Sequence, residues 1–268
     1  MRSTRLSRKF GGFRVARTAG EMVTEDRVRG AAPAGASDRE SASRAIREMF
    51  SAIAPRYDLL NHLLSANIDK LWWRRTARAF AHILARPSAE VLDLCCGTGD
   101  MAFALRNQGE APITGADFSH PMLVRAAKKS SGSRRMKWIE ADALRLPFAD
   151  ERFDLLTSAF GFRNLADYDM GLREIFRVLR PGGECGILEF SEPEGITGKL
   201  YNVYFKSVLP RIGRMISGNT GAYSYLPVSV ERFPQPHEML TRMRAAGFRE
   251  VSWIPYTFGI AGLYRGSR

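Results

Sequence analysis

Residues 90–102 of the chain read EVLDLCCGTGDMA. Residues 90–96 form a short apolar run that stops at a glycine, which predicts a buried β-strand leading into a tight turn. Gly97, Gly99 and Ala102 give the spacing G-x-G-x-x-A. Glycines at a strand end let the backbone turn tightly and approach a ligand, but NAD, FAD and S-adenosylmethionine sites share this pattern. The stretch therefore predicts a cofactor-binding turn without fixing the cofactor.

Strands and helices alternate after this turn. Ser119 is a suitable helix cap, Pro121 fits the first turn of a helix, and residues 180–183 (RPGG) mark a helix end. The predicted strands are residues 90–96, 112–118, 136–142, 153–160, 184–190, 250–258 and 259–266, and the predicted helices are residues 100–107, 121–129, 168–179 and 237–246. This alternation predicts a doubly wound, Rossmann-like α/β fold with a mainly parallel sheet, whose ligands bind beyond the carboxyl ends of the strands.

Helical patterns also precede the first strand. Apolar residues recur at helical spacing in residues 43–54 and 69–85, and Pro55 favours an end to the first of these helices. We therefore expect an N-terminal helical cover on the α/β domain. Residues 198–216 also have a helical pattern, with a break at Pro210.

The first 42 residues differ in composition from the rest. Residues 1–20 contain six basic residues and no acid, within a 268-residue chain of formal net charge +12. Residues 21–40 continue with many Ala, Gly and Pro residues. Little in this part could be buried to offset its ordering entropy, so we predict a disordered basic extension over residues 1–42 and one folded domain over residues 43–268. An organelle-targeting segment and a start codon placed too far upstream are the alternatives for the extension.

The cysteines argue for a reducing compartment. Cys95, Cys96 and Cys185 are an odd and sparse set, and no His lies near the adjacent pair in sequence. No apolar run reaches the ~18 residues that a membrane-spanning helix needs. The sequence therefore predicts a cytoplasmic protein with no disulfide framework and no metal ion.

Acidic residues around the glycine turn favour S-adenosylmethionine over a dinucleotide. Asp100 follows Gly99 at a helix start, where a dinucleotide would place its pyrophosphate, and a carboxylate there would repel it. S-adenosylmethionine has no phosphate and carries an ammonium and a sulfonium group. Asp93, inside the strand, is expected to support that ammonium directly or through water, with a role in shaping the turn as the alternative.

Two further acids close predicted strands. Asp117 lies twenty residues after Gly97, where a carboxylate can accept hydrogen bonds from both ribose hydroxyls. Asp142 closes the next strand and can accept the adenine amino group while its apolar neighbours flank the ring. A solvated strand end for Asp117 and a turn cap for Asp142 are the alternatives. A glycine turn at the end of one strand and an acid at the end of each of the next two are together a more specific signal than the glycines alone.

Between about residues 46 and 266 the chain resembles the ubiquinone/menaquinone biosynthesis C-methyltransferase family. The YDLLN and FGFRN segments are more particular to that family than the glycine turn is. The matching segments are FSAIAPRYDLLNHLLS (50–65), DLCCGTGD (93–100), ADFSHPML (116–123), EADALRLPFADERFD (140–154), FGFRNLADYDMGLREIFRVLRPGG (160–183), LEFSEP (188–193), VLPRIG (208–213) and YSYL (223–226).

The resemblance implies methyl transfer from S-adenosylmethionine to a ring carbon of a 2-polyprenyl-1,4-quinol, such as demethylmenaquinol, in respiratory quinone biosynthesis. It also implies that four residues contact the cofactor: Thr98, Asp117, Asp142 and Ala143. A serine that the family often carries near the cofactor on the fourth strand is Ala159 in this chain, with Ser158 beside it.

Arg163 and Asn164 follow the fourth predicted strand, where an acceptor would lie. The resemblance suggests that this arginine orients a water or stabilises a developing oxyanion. Because the pKa of a guanidinium lies above ~12, we expect Arg163 to act in electrostatic stabilisation first and in proton relay second, with a structural salt bridge as the alternative. Tyr57 and Asn61, in the upstream helical cover, are candidates for the roof of the pocket, with core packing or capping as the alternative.

A long apolar tail on the acceptor predicts a membrane-facing surface. Residues 199–216 mix basic and apolar side chains and are a candidate for peripheral contact with anionic lipid at the inner face of the membrane, with an ordinary helix packed on the sheet as the alternative. We see no aromatic and basic stacking platform, so no nucleic acid is expected. The sequence does not decide the oligomeric state, and a monomer and a homodimer are both possible. Other acceptors (a ubiquinone-pathway benzoquinol, another small molecule, RNA) and a non-catalytic cofactor- or RNA-binding protein are the alternatives.

Overall fold

The computed structural model of the protein describes residues 28–33, 35–56, 67–193 and 220–268, without the side chains of residues 220–224. Its sheet has seven strands in the order β3-β2-β1-β4-β5-β7-β6. Strands β1 to β5 are parallel, and β7 lies antiparallel between β5 and β6. The strands are β1 (Val91–Leu94), β2 (Ile113–Asp117), β3 (Met136–Glu140), β4 (Phe153–Ala159), β5 (Leu179–Phe190), β6 (Arg249–Tyr256) and β7 (Ala261–Ser267). The predicted doubly wound, mainly parallel fold is confirmed, and its order reverses between β1 and β4, where such sheets bind ligands.

Helices cover both faces of this sheet. On one face, Trp72, Phe80 and Leu105 pack with Val91 and Ile113, and on the other face Leu172 and Met239 belong to the cluster that contains Leu92 and Leu94. This two-sided burial explains why every residue of β1 and β2 is buried and why most of them are apolar. The helices are α1 (Arg39–Ile53), α2 (Ile68–Ala79), α3 (Ala81–Leu84), α4 (Asp100–Arg106), α5 (His120–Lys129), α6 (Tyr168–Val178), α7 (Thr220–Arg232) and α8 (Pro236–Ala245), with short 3-10 helices at Ala54–Arg56, Phe162–Asn164 and Thr257–Gly259.

The first helix begins earlier than the sequence indicated. Asp38 accepts a hydrogen bond from the Ser41 amide, and the Ser41 side chain caps Asp38 in return, so α1 begins at Arg39 rather than near residue 43. The amides of Arg29 and Ala31 donate to the chain after β4, at Ala166 and Leu165. Residues 28–31 are thus tied to the domain. The division at residue 42 stays a prediction, and most of the proposed extension, residues 1–27, lies outside the described residues.

Several predicted boundaries move for identifiable reasons. Strand β5 begins at Leu179 instead of residue 184, because the chain after α6 pairs with Phe153 before an irregularity in the register. Ser119 precedes α5 but makes no capping bond, and its hydroxyl lies 3.0 Å from that of Ser51 in α1. Helix α7 has no counterpart among the predicted helices, and it contains Pro227, a residue that disfavours helix interiors. The helical pattern of residues 198–216 lies outside the described residues.

None of the helices in the described ranges combines the length and apolar character needed to cross a lipid bilayer.

Candidate active site

A cavity opens at the carboxyl edge of β1, β2, β3 and β4. This is the place at which a doubly wound sheet binds its ligand. Helix α1 covers it with Ser43 and Phe50. Of the predicted site residues within the described ranges, the cavity is lined by Gly97, Asp117, Asp142, Ala143, Ala159 and Asn164, whereas Asp93, Thr98, Gly99 and Arg163 are not among its lining residues.

The glycine turn after β1 has the left-handed backbone that its sequence suggested. Gly97 has φ 54° and Gly99 has φ 91°. A Cβ atom on Gly99 would lie 2.6 Å from the Trp138 ring, so this glycine serves close packing between the turn and β3. Cys95, one residue after β1, also has a positive φ of 55° and lines the cavity. The turn thus presents Gly97 and Cys95 to the cavity and packs Gly99 behind it.

Asp117 binds the turn to the end of β2. Its Oδ2 accepts from the Gly97 amide at 2.9 Å and its Oδ1 accepts from the Ser119 amide at 2.9 Å. Burial raises the pKa of Asp117 to about 6, although these amides act in the opposite direction. Each oxygen keeps a further lone pair, so the carboxylate can still accept bonds from a ligand in the cavity.

Asp93 is fully buried below the turn. Its Oδ1 accepts a hydrogen bond from the Thr157 hydroxyl at 2.8 Å. Burial raises its pKa to about 7, while Thr157 and the Ala102 amide in α4 lower it. These contacts favour the alternative role for Asp93, which is to hold the turn against α4. Support of a ligand ammonium by Asp93 stays a prediction.

Asp100 is paired, which weakens one step of the sequence argument. The Lys129 ammonium donates to Asp100 Oδ1 at 2.9 Å and to the Thr98 hydroxyl at 3.0 Å. This ammonium offsets the negative charge at the start of α4. Repulsion of a pyrophosphate by Asp100 is therefore smaller than the sequence suggested. The preference for S-adenosylmethionine over a dinucleotide then depends mainly on the carboxylates at the ends of β2 and β3.

Asp142 and its apolar neighbours form the wall beyond β3. The Asp142 Oδ1 accepts from the Leu144 amide at 2.9 Å, as a turn cap would. Ala141, Ala143 and Leu144 line the cavity beside it. The second carboxylate oxygen can accept an amino group while these side chains flank a planar ring. The cap and the predicted ligand contact are therefore compatible.

Arg163 is held in a buried ion pair. The Glu189 carboxylate, on β5, accepts from the Arg163 backbone amide at 3.0 Å and from its guanidinium at 3.0 Å. The guanidinium also donates to the Phe160 carbonyl and to the Ser229 hydroxyl, and it lies over the Phe190 ring at 5.3 Å. Burial raises the pKa of Glu189, and the Arg163 charge opposes this rise. Arg163 thus forms the salt bridge that the alternative describes, and this pair holds the loop after β4. The roles of Arg163 in oxyanion stabilisation and proton relay stay predictions.

Asn164, the next residue, contributes a polar group to the cavity. The residue is 9% exposed, and its side-chain Oδ1 has no hydrogen-bond partner within the described part of the chain. A buried carbonyl without a partner costs free energy unless a ligand or water donates to it. Asn164 Oδ1 is therefore a candidate acceptor for a hydroxyl of the bound substrate.

Sequence reasoning missed Glu189 and Phe160. Glu189 is an acid inside an otherwise apolar strand, and this is a signal for a buried partner that the sequence did offer. Phe160 lines the cavity with φ 58°, which a sequence pattern does not reveal for an aromatic residue. Tyr57 and Asn61, the predicted roof residues, lie outside the described residues.

The described ranges contain no group of three or more His, Cys, Asp or Glu side chains that could hold a metal ion. Cys95, Cys96 and Cys185 are free thiols, and burial raises the pKa of each.

Solved structures with this fold include methyltransferases. A possible histamine N-methyltransferase from Thermotoga maritima, described as SAM-dependent, has a TM-score of 0.58 at 19% identity over 83% of this chain and 99% of its own. A putative S-adenosyl-L-methionine-dependent methyltransferase from Methanococcus maripaludis has a TM-score of 0.56 at 20% identity, over 80% of this chain and 91% of its own. At this identity the likeness establishes the fold. Fold, glycine turn and strand-end carboxylates together are what an S-adenosylmethionine-dependent methyltransferase requires.

The model of the ubiE/COQ5 methyltransferase family matches residues 38–268. A demethylmenaquinone methyltransferase of Deinococcus radiodurans is 47% identical over 86% of this chain and 95% of its own length, and one of Thermus thermophilus is 51% identical over 82% and 100%. A ubiquinone/menaquinone biosynthesis C-methyltransferase of Geobacter sulfurreducens is 43% identical over 83% and 88%. The chain therefore belongs to the ubiE/COQ5 methyltransferase family, and the resemblance noted in its sequence is confirmed.

Proposed function

We propose that the protein transfers a methyl group from S-adenosylmethionine to a ring carbon of a 2-polyprenyl-1,4-quinol, and that demethylmenaquinol is its acceptor. The observation that carries this proposal is the 47% and 51% identity, over nearly the whole folded part, to two relatives named demethylmenaquinone methyltransferase. The cavity supports it, because acidic strand ends and an apolar wall meet there beside Asn164, whose buried Oδ1 has no hydrogen-bond partner within the described residues.

The residues at the strand ends fit S-adenosylmethionine. Asp117 would accept the two ribose hydroxyls, Asp142 would accept the adenine amino group, and Ala143 would flank the adenine ring. Gly97 leaves room for close approach of the ligand to the backbone, and Ala159 lines the cavity at the end of β4. When bound, this cofactor would supply a methyl group from a sulfonium, whose neutral thioether is an excellent leaving group, and the methylated ring carbon would release its hydrogen as a proton. Thr98 and Gly99 would act from behind the turn, by holding its shape.

The acceptor would lie against the β4 loop. Phe160, Gly161 and Asn164 line the cavity there. Asn164 Oδ1 would accept a hydrogen bond from a quinol hydroxyl, which raises electron density on the ring and favours attack on the methyl group. Holding ring and methyl group in line is mainly a proximity contribution. Arg163, fixed by Glu189, would position this loop and place its positive charge behind it; direct contact with an oxyanion would require Arg163 to leave Glu189.

A ubiquinone-pathway benzoquinol is the second candidate acceptor. It is supported by relatives named for both pathways, such as the Geobacter sulfurreducens enzyme at 43% identity. Peripheral contact of residues 199–216 with anionic lipid, a cytoplasmic location and a homodimer stay proposals, as does the expectation that no metal or nucleic acid is needed.

The ligand-free protein is expected to bind S-adenosylmethionine more tightly as the pH rises from about 5.5 to 8. The pKa of Asp117 is about 6 and that of Asp93 is about 7, both raised from 3.8 by burial. The ionised fraction of a group with a pKa of 6 rises about fourfold over this range, so the association constant should rise at least fourfold by calorimetry. Conversely, the free protein should lose stability as pH rises from about 4 to 7, because folding favours the protonated carboxyls. Affinity and stability that do not change with pH would show that neither group titrates there.

Quinone analysis tests the proposed function. A bacterial strain that lacks its own enzyme should accumulate the demethylated quinone, and expression of this chain should restore the methylated form. Asn164→Ala and Arg163→Ala are expected to restore less than a tenth of it, because the first removes the proposed contact with the acceptor and the second removes the side chain that fixes its loop. Arg173→Ala, an exposed arginine on α6, is the matched control and should restore it fully. Purified protein offered demethylmenaquinol, a benzoquinol and RNA would separate the acceptors. A soluble, cofactor-binding protein that methylates neither quinol would refute the proposal.

A further inference from the structure

We propose that one corner of the domain, formed by the exposed side chains of Ile68, Leu71 and Phe258, docks on an anionic lipid bilayer. We name this surface the apolar corner. The inference rests on the proposed function, because it assumes that the acceptor carries a polyprenyl tail and is dissolved in a membrane. It adds the surface through which the enzyme reaches that membrane.

The apolar corner gathers most of the exposed large apolar side chains. Phe258 is 83% exposed, Leu71 61% and Ile68 38%. Within the described residues the others are Val124 and Val228, on separate helices. Ile68 and Leu71 are one turn apart on α2, and a hydrogen bond of 2.8 Å from Trp72 to Thr257 joins α2 to the turn that carries Phe258. Scattered single apolar residues need no explanation, but a group at one place suggests an interaction surface.

The turn between β6 and β7 holds Phe258 outward under backbone strain. Thr257 has φ 45° and Phe258 has φ 56°, in the left-handed region that β-branched and aromatic residues rarely adopt. A phenyl ring left in water contributes no burial energy to offset this cost. The arrangement becomes favourable once the ring enters an apolar phase, because removal of apolar surface from water lowers the free energy.

The charges around the apolar corner select anionic lipid as its partner. Lys70, Arg74, Arg75 and Arg78 on α2 are all exposed, whereas the one acid of the helix, Asp69, is buried. Basic residues near a membrane surface are attracted to anionic headgroups. A second copy of the chain would bring the same positive charges together, and residues 199–216 are themselves basic, so both are poorer occupants. Exposed aromatic and aliphatic side chains within a basic rim are typical of interfacial membrane contact.

The apolar corner lies on the acceptor side of the cavity. Phe190, at the end of β5, pairs with Ala261 at the start of β7, so the turn bearing Phe258 lies at the carboxyl edge of the sheet. The Trp72 ring lies 5.8 Å from that of Phe160 and 6.0 Å from that of Phe190. Phe160 lines the cavity. The rings of Trp72, Phe160 and Phe190 thus connect the cavity with the apolar corner. A polyprenyl tail would extend along these rings while the far end of the tail stays in lipid.

Co-sedimentation of the full chain with vesicles tests this docking surface. The unmodified protein should bind phosphatidylglycerol-containing vesicles and bind phosphatidylcholine vesicles at least tenfold more weakly. The double variant Leu71→Ser/Phe258→Ser should bind the anionic vesicles at least tenfold more weakly than the unmodified protein. Val124→Ser, which removes an exposed apolar side chain from α5, is the matched control and should bind normally. Lys70→Glu/Arg74→Glu should lose binding at low salt.

Two further measurements separate the docking surface from the proposed function. Cofactor binding, and methylation of a water-soluble quinol without a tail, should be unchanged in Leu71→Ser/Phe258→Ser, whereas methylation of a long-tailed quinol in vesicles should fall at least tenfold. If the unmodified protein methylates no quinol, the proposed function fails. Undiminished vesicle binding by the double variant would overturn the docking surface alone. A change from dimer to monomer in this variant, without loss of vesicle binding, would likewise overturn it by assigning the corner to a second copy of the chain.

Discussion

Replacing Glu189 with alanine is expected to lower the free energy of unfolding by about 3–5 kcal/mol. The Glu189 carboxylate is fully buried, and the Arg163 side chain is 7% exposed. Removal of the carboxylate leaves a guanidinium charge without its ionic partner in the interior, and the Arg163 backbone amide loses its acceptor as well. Urea unfolding followed by circular dichroism would measure the effect as a lower midpoint at an unchanged slope.

The same substitution should reduce methyl transfer more than cofactor binding. Glu189 reaches the β4 loop through Arg163, and this loop carries Asn164, whereas the ribose and adenine contacts proposed for Asp117 and Asp142 lie on other strands. We therefore expect turnover to fall at least a hundredfold, while the affinity for S-adenosylmethionine changes less than tenfold. Glu189→Gln keeps an acceptor oxygen without the charge. Its turnover should lie between that of the unmodified protein and that of Glu189→Ala.

A double variant separates stability from positioning. Arg163→Met/Glu189→Leu replaces the buried pair with apolar side chains of similar size, which often restores stability. It should unfold close to the midpoint of the unmodified protein and still turn over poorly, because nothing fixes the loop after β4. If Glu189→Ala unfolds at the original midpoint, the buried pair does not have the role given to it here.

Replacing Asp117 with alanine should weaken S-adenosylmethionine binding by about 100-fold or more. Hydrogen bonds to a charged group contribute about 1.5–3 kcal/mol each, and the carboxylate is proposed to accept two from the ribose. It also accepts the amides of Gly97 and Ser119 at 2.9 Å, so its loss leaves the glycine turn without the contact that joins it to β2. Calorimetry with S-adenosylmethionine measures the loss directly.

Asp142→Ala is the internal comparison for this prediction. Asp142 contacts its own turn at Leu144 and is proposed to accept one amino group, so its removal should cost only about tenfold in affinity. Asp150→Ala, in which the lost carboxylate is 71% exposed, should leave the affinity unchanged. Equal losses for Asp117→Ala and Asp142→Ala would contradict the assignment of the ribose to the end of β2.

Much of the fold and part of the site follow from local sequence. The apolar run before Gly97, the amphipathic pattern of residues 168–179 and the acids that end successive strands each depend on neighbours within a few residues. Such patterns fix which segments are strands and which are helices, and parallel strands necessarily bring their carboxyl ends to one edge. Asp117 and Asp142 were predicted at that edge for this reason, and both line the cavity.

The electrostatic state of the site was decided only by tertiary structure. Arg163 and Glu189 are 26 residues apart, and they meet because β4 and β5 are adjacent in the sheet. Lys129 reaches Asp100 from the far end of α5, which turns an expected free carboxylate into half of an ion pair. The apolar corner likewise joins α2 to a turn nearly two hundred residues later. The sequence by itself determined which secondary structures form and which acids end the strands, because those depend on local spacing. Which charges neutralise one another, and which apolar side chains stay in water, depends on the packing of segments distant in sequence.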